Sequence, residues 1–149
     1  MRITQTITRP DNTTAYTAAD VVGNTSSIIE FGRLSPGTHM IKGARLLYGE
    51  NAIPGGMAAY NLHLYDWSPT NIADNAAWTL SEADSTHYLG KVVLTLPVDL
   101  GAACFSKDDS VNMTINVADN ASSVFGLLET VGGYTPVAET VHTISLDID

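Results

Sequence analysis

The residues able to serve as ligands, bases or nucleophiles are few and scattered. His39, His63, His87 and His142 stand far apart, with no His-x-His or His-Glu-x-x-His spacing and no cysteine pair to complete a metal-ligand set. Cys104 is the sole cysteine, so no internal disulfide forms, and its neighbours Ala102, Ala103 and Phe105 mark it as a small buried hydrophobe. Acidic groups lie near one another at Asp108-Asp109, Glu82 with Asp84, and Asp147 with Asp149, but none matches a calcium-loop pattern. Lys107-Asp108-Asp109-Ser110 instead reads as a hairpin turn. Gly55-Gly56 and Gly132-Gly133 read as turn glycines that must reach positive φ, since no phosphate-cradling glycine loop contains them. These patterns predict no metal, no cofactor and no enzymatic activity. A glycosidase-type carboxylate pair depends on separation in space and stays open.

Two aromatics carry a different chemistry. Trp67 and Trp78 flank the loop Ser68 to Ala77, where exposed rings could stack on a sugar or anchor a protein interface, while core packing is the competing fate of each. His63 lies in Asn61-Leu62-His63-Leu64-Tyr65; Leu62 and Leu64 should face inward, with His63 on the opposite face beside Asn61 and Tyr65.

The elements that position these groups are short strands. Val111 to Val117 alternates apolar and polar residues, which places every large side chain on one face of a half-buried strand. Tyr88 to Leu96 sets Val92, Leu94 and Leu96 on one face until Pro97 removes a ladder donor. Further β-type runs are Ile3 to Thr8, Ser27 to Phe31, Met40 to Tyr48, Tyr60 to Tyr65, Ser123 to Thr130 and Thr140 to Ile148. Val124 to Leu128 is apolar on both faces, which suits a central strand or one whose second face meets another subunit. Pro69 to Asp84 reads as a loop with short turns capped by Asp74 or Asn75 and by Ser81. Ala-Asp-Asn-Ala occurs at 73–76 and 118–121 with different flanks, so it is repeated turn chemistry rather than a structural repeat.

The expected fold is all-β: one domain over 1–149, a two-sheet sandwich, jelly-roll-like, with about eight strands and little helix. Residues 1–25 could include an extended arm. Within it Arg9-Pro10-Asp11-Asn12-Thr13-Thr14 is polar and proline-stiffened, and Tyr16 could anchor it on a neighbour or pack it on its own domain. Apolar residues at 44 % and charged residues at 15 % suit a packed core. Sixteen acids against seven Lys and Arg give a charge of −9, which repels nucleic acid. No run is long and apolar enough to span a membrane, and no signal-peptide pattern opens the chain, so synthesis in a host cytoplasm is expected.

Several segments resemble a group of small phage and prophage virion proteins associated with head decoration. They are Thr8-Arg9-Pro10, Thr13-Thr14-Ala15-Tyr16, Asp20-Val21-Val22, Gly43-Ala44-Arg45-Leu46-Leu47, Leu62-His63-Leu64-Tyr65, Asp74-Asn75-Ala76-Ala77-Trp78, Tyr88-Leu89-Gly90 and Gly132-Gly133-Tyr134-Thr135-Pro136. The resemblance implies a jelly-roll cement protein on the outer face of a capsid. Its partner would be the major capsid protein, and it would assemble as a homo-oligomer, a trimer by preference or a dimer. It brings no catalytic residues. A tail, fibre or baseplate module binding a receptor or carbohydrate is the alternative. The interaction residues singled out are Arg9, Pro10, Tyr16, Trp67 and Trp78.

Overall fold

The structure is a computed structural model that describes all 149 residues. Ten strands follow in order: β1 (Arg2–Thr8), β2 (Ile29–Phe31), β3 (Gly37–Tyr48), β4 (Tyr60–Tyr65), β5 (Tyr88–Leu94), β6 (Val98–Asp99), β7 (Cys104–Asp108), β8 (Met113–Val117), β9 (Val124–Thr130) and β10 (Val141–Ile148). The only helical element is a 3₁₀ turn at Ser85–His87. One sheet runs β1-β10-β3-β7-β6 with β8 also on β3; the other runs β2-β9-β4-β5. Every pairing is antiparallel.

The long strand β3 explains the strand count. Its second half, Ala44 to Tyr48, carries β7, and its first half, Gly37 to Ile41, carries β8 on the same edge. Taking β7 and β8 as one interrupted strand and β6 as a short extension leaves eight. Their order is first-eighth-third-sixth over second-seventh-fourth-fifth, the double Greek key of a jelly roll. Lys107 to Ser110 is therefore not a hairpin turn. Lys107 and Asp108 finish β7, and Asp108 Oδ1 accepts from Ser110 N at 2.8 Å where the chain steps along β3.

The core fills from alternating positions of both sheets. Ile3, Ile7, Ile41, Leu46, Ile115, Val117, Ile144 and Leu146 face Leu62, Leu64, Val92, Leu94, Val124 and Leu128. Each large aliphatic side chain buried this way contributes about 1.5–3 kcal/mol of transfer free energy. The predicted alternation of the Val111 run holds: Ile115 and Val117 are buried while Thr114 and Asn116 are exposed. β5 ends at Leu94 rather than at Pro97, leaving Leu96 on the surface.

β4 and β9 are covered on both faces. β9 lies between β2 and β4, as its two-sided apolar pattern predicts. The rest of its edge is taken by Ala19 to Val22: Val22 N donates to Leu128 O at 2.8 Å and Thr130 N to Asp20 O at 2.9 Å. Residues 75–78 then pair with this segment, Trp78 N donating to Ala19 O at 2.8 Å. The second face of these strands is buried within the same chain, with Trp78 stacked on His63, so its apolar character needs no subunit contact to explain it.

The paired glycines differ from the sequence reading. Gly56 has a positive φ of 88°, but Gly55, Gly132 and Gly133 do not. Gly132 and Gly133 are required by close approach instead: a Cβ would lie 2.5 Å from Gly56 O in the first case and 2.9 Å from Tyr16 O in the second. Both Ala-Asp-Asn-Ala segments form a turn with the same bond from the fourth residue to the first, Ala76 N to Ala73 O and Ala121 N to Ala118 O.

Candidate interaction surface

The polar groups with the richest chemistry face inward. Arg9 is 1 % exposed. Its guanidinium donates to Tyr16 OH, to Val137 O at 2.9 Å and to Asp74 Oδ2 at 3.2 Å, and lies 4.9 Å from the centroid of the Tyr16 ring. Tyr16 OH donates to Asp74 Oδ1 at 2.5 Å, which also accepts from Gly23 N at 2.9 Å. Arg9 and Tyr16 are therefore not arm residues reaching for a neighbour. They clamp residues 9–16 onto the 73–75 turn, because a buried guanidinium needs a carboxylate and every donor filled. Pro10 is half-buried at this clamp. Residues 9–25 run across the sandwich rather than away from it, held by Tyr16 N to Tyr134 O at 2.9 Å and Asn24 Nδ2 to Thr8 O at 2.6 Å.

A second cluster sits on the covered face of β4. His63, placed beside Asn61 and Tyr65 as predicted, bonds through Nε2 to Glu129 Oε2 and through Nδ1 to Tyr88 OH at 2.9 Å. Asn61 Nδ2 donates to the same Glu129 oxygen at 3.2 Å. The indole of Trp78 stacks on the His63 ring and its Nε1 donates to Tyr65 OH at 3.2 Å. Burial holds the His63 ring below its ordinary pKa even against the adjacent carboxylate. Trp78 thus takes the packing fate. Ser81 caps its turn, accepting from Asp84 N at 3.2 Å, whereas Asp74 serves the Arg9 clamp.

Cys104 is buried against Glu50 O, and burial pushes its thiol pKa up, so it is poorly suited to act as a thiolate. His142 is enclosed between Tyr48 and Tyr60, with ring centroids 5.0 and 6.4 Å away, and neither ring nitrogen has a hydrogen-bond partner.

Several exposed apolar side chains gather on the outer face of the larger sheet. Register alignment puts Val98 opposite Phe105, Phe105 opposite Leu47, and Leu47 opposite Thr143. Val98 is 62 % and Leu47 41 % exposed, and Phe105 is half-buried between them. Leu96 and Leu100, beside β6, and Val141, on β10, are also exposed. An outward row of this kind is what a partner desolvates. The sequence signal lies in β7, where Phe105 alternates with Cys104 and Ser106, but the strand is short and ends in the charged Lys107 and Asp108. Trp67 is the one singled-out aromatic left on the surface, 56 % exposed with its ring 6.1 Å from that of His87.

The site and fold together define a jelly-roll sandwich in which Arg9, His63 and Glu129 are internal struts and the outer face of the larger sheet carries an apolar row. No family model matches the chain. No curated protein matches it. Among solved structures it is similar to the CBM22-1–GH10 modules of a Clostridium thermocellum endo-1,4-β-D-xylanase, at 12 % identity and TM-score 0.36, covering 98 % of this chain and 24 % of that one. The chain therefore spans about a quarter of that protein's length. The capsid protein of the BFDV 60-mer is similar at 13 % identity and TM-score 0.36, over 99 % of this chain and 90 % of that one. Turnip yellow mosaic virus follows at 9 % identity and TM-score 0.33, over 99 % and 91 %. The jelly-roll order rests on this chain's own strand pairing, not on these likenesses.

Proposed function

We propose that the protein is a structural component of a phage particle, a decoration protein that binds the outer surface of the head and stabilises contacts between major capsid proteins. The observation that carries this reading is the Val98–Phe105–Leu47 row, an exposed apolar surface on the outer face of the larger sheet. The resemblance to virion proteins supports it. The charge of −9 fits a protein kept away from packaged nucleic acid. The work done is binding rather than catalysis: a subunit that binds the assembled shell and not its dissociated parts stabilises the shell by mass action. The test is co-sedimentation of wild type and of Leu47→Asp/Val98→Asp with shells of the parent phage. Wild type should pellet with the shell and raise its thermal stability, and the variant should do neither. Shells indifferent to the wild-type protein would overturn the reading.

Exposed Trp67 favours a second reading, a carbohydrate- or receptor-binding module of a tail, fibre or baseplate. A glycan array comparing wild type with Trp67→Ala separates the two; an array blank for wild type removes this one.

A further inference from the structure

We propose that the chain forms a twofold dimer by antiparallel pairing of β1 with β1 of a second copy, in the register centred on Gln5. This inference does not depend on the shell reading.

β1 is the one long edge left unguarded. It pairs with β10 alone, in unbroken register from Arg2 to Thr8, without a bulge or a proline. Natural sheets blunt such edges by shortness, Lys, Pro or bulges. The other edges are shorter or guarded: β2 has three residues, β6 two and β8, which pairs with β3 alone, five, and β5 bears Lys91 and a register shift where it meets Tyr65.

The hydrogen-bond phase of β1 follows from its ends. Ile148 N donates to Met1 O and Arg9 N to Thr140 O, so in this antiparallel ladder the odd residues bond to β10. The N–H and C=O groups of Arg2, Thr4, Thr6 and Thr8 therefore point to the open edge, where Asn24 meets Thr8 O. A second strand can only pair with even residues.

The sequence of β1, Arg2-Ile3-Thr4-Gln5-Thr6-Ile7-Thr8, is nearly the same read in either direction. An antiparallel copy centred on Gln5 sets Thr4 opposite Thr6, Ile3 opposite Ile7, Arg2 opposite Thr8 and Gln5 opposite itself. Every hydrogen-bonding pair in that register is even with even, so the phase fixed by β10 and the palindrome agree. An isologous interface needs this self-complementarity, and threonine and β-branched cross-strand pairs are favourable ones.

Charge points the same way. The groove between the β1 and β2 edges sets Arg33 against the single carboxylate Glu30, and Arg2 at its mouth is held by Asp147 at 2.7 Å, so this edge is close to neutral in a chain of net charge −9. Two acidic copies repel least at such an edge, and the twofold sets Arg2 of one copy opposite the uncharged Thr8 of the other. The pairing closes at two, so it does not build a trimer.

The experiment is sedimentation velocity over a concentration series on wild type and Gln5→Lys, with oxidation of Gln5→Cys and Thr4→Cys followed on non-reducing gels. Wild type should sediment as a dimer, and Gln5→Lys, which opposes like charges on the axis, should weaken association about tenfold or more. Gln5→Cys should crosslink to a dimer and Thr4→Cys should lag, because Thr4 meets Thr6. A monomer at all concentrations, a trimer, or equal crosslinking at 4 and 5 would overturn the proposal. The wild-type measurement decides even if a variant fails to fold.

Discussion

The rings of His63 and Trp78 lie face to face, with centroids 3.7 Å apart and planes 9° from parallel. One residue comes from the middle of β4 and the other from the long connection before β5, so this contact fastens that connection to the sheet. Trp78→Ala should cost about 2 kcal/mol or more in urea unfolding, from lost packing and the lost bond to Tyr65. Trp67→Ala, at an exposed ring, should stay within about 0.5 kcal/mol of wild type. Equal losses would mean the two indoles had been assigned wrongly.

The Arg9–Asp74 pair is an interior one, with side-chain exposures of 0 % and 7 %. Removing one partner strands a charge, so Asp74→Ala should lose about 3–5 kcal/mol. Arg9→Met/Asp74→Leu should recover only part of that loss, since it leaves no unpaired charge but takes the acceptor from Tyr16 OH and Gly23 N. Thermal denaturation of Arg9→Met, Asp74→Leu and the double variant reads the coupling directly.

Acid should weaken the fold before the carboxylates titrate. Burial lowers the pKa of His142 from 6.5 to about 3 and also lowers that of His63. Both folded-state values lie below the unfolded one, so the unfolded chain takes up protons first. Stability is therefore full above about pH 6.5 and falls as pH drops toward 4, with His142 alone contributing a loss on the order of 3 kcal/mol. His142→Leu should flatten the curve over this window. At pH 7 it should be neutral or stabilising, because it removes two ring nitrogens without partners. A slope identical to wild type would refute the assignment.

Gly132→Ala should cost about 1–3 kcal/mol, because the new methyl meets Gly56 O and the Ala58 side chain, 2.9 Å away, and neither can move alone. Gly55→Ala, with open space at its Cβ, should be close to neutral in the same denaturation assay. The reverse order would show that turn conformation, not close approach, governs these glycines.

Much of the fold was legible because period-two alternation survives wherever one face of a strand is wet. β1, β5, β8 and β10 were visible on that ground, and β4 and β9, covered on both faces, as short β-type runs bounded by turn residues. β7 was missed because its five residues mix Cys104, Ser106 and two charged groups, and their placement comes from pairing with half of β3. The apolar row was hidden with it. Arg9 was misjudged for another reason: composition assigns a guanidinium to the surface, and only Asp74, 65 positions away, shows why this one is inside. His63 was placed on the correct face by alternation, but its Glu129 and Trp78 partners come from strand order and a crossing segment, which no local pattern encodes.

The pairing of β1 with β10 joins the first strand of the domain to the last. During synthesis Arg2 is made long before Asp147, the residue opposite it. At about 5–20 residues per second the intervening wait is on the order of 10 s. Through that interval the Ile3 to Ile7 segment has neither of its edges covered, and any neighbouring chain on the same message presents an identical strand. The order of synthesis therefore leaves this segment waiting for its own last strand until the whole domain has been made.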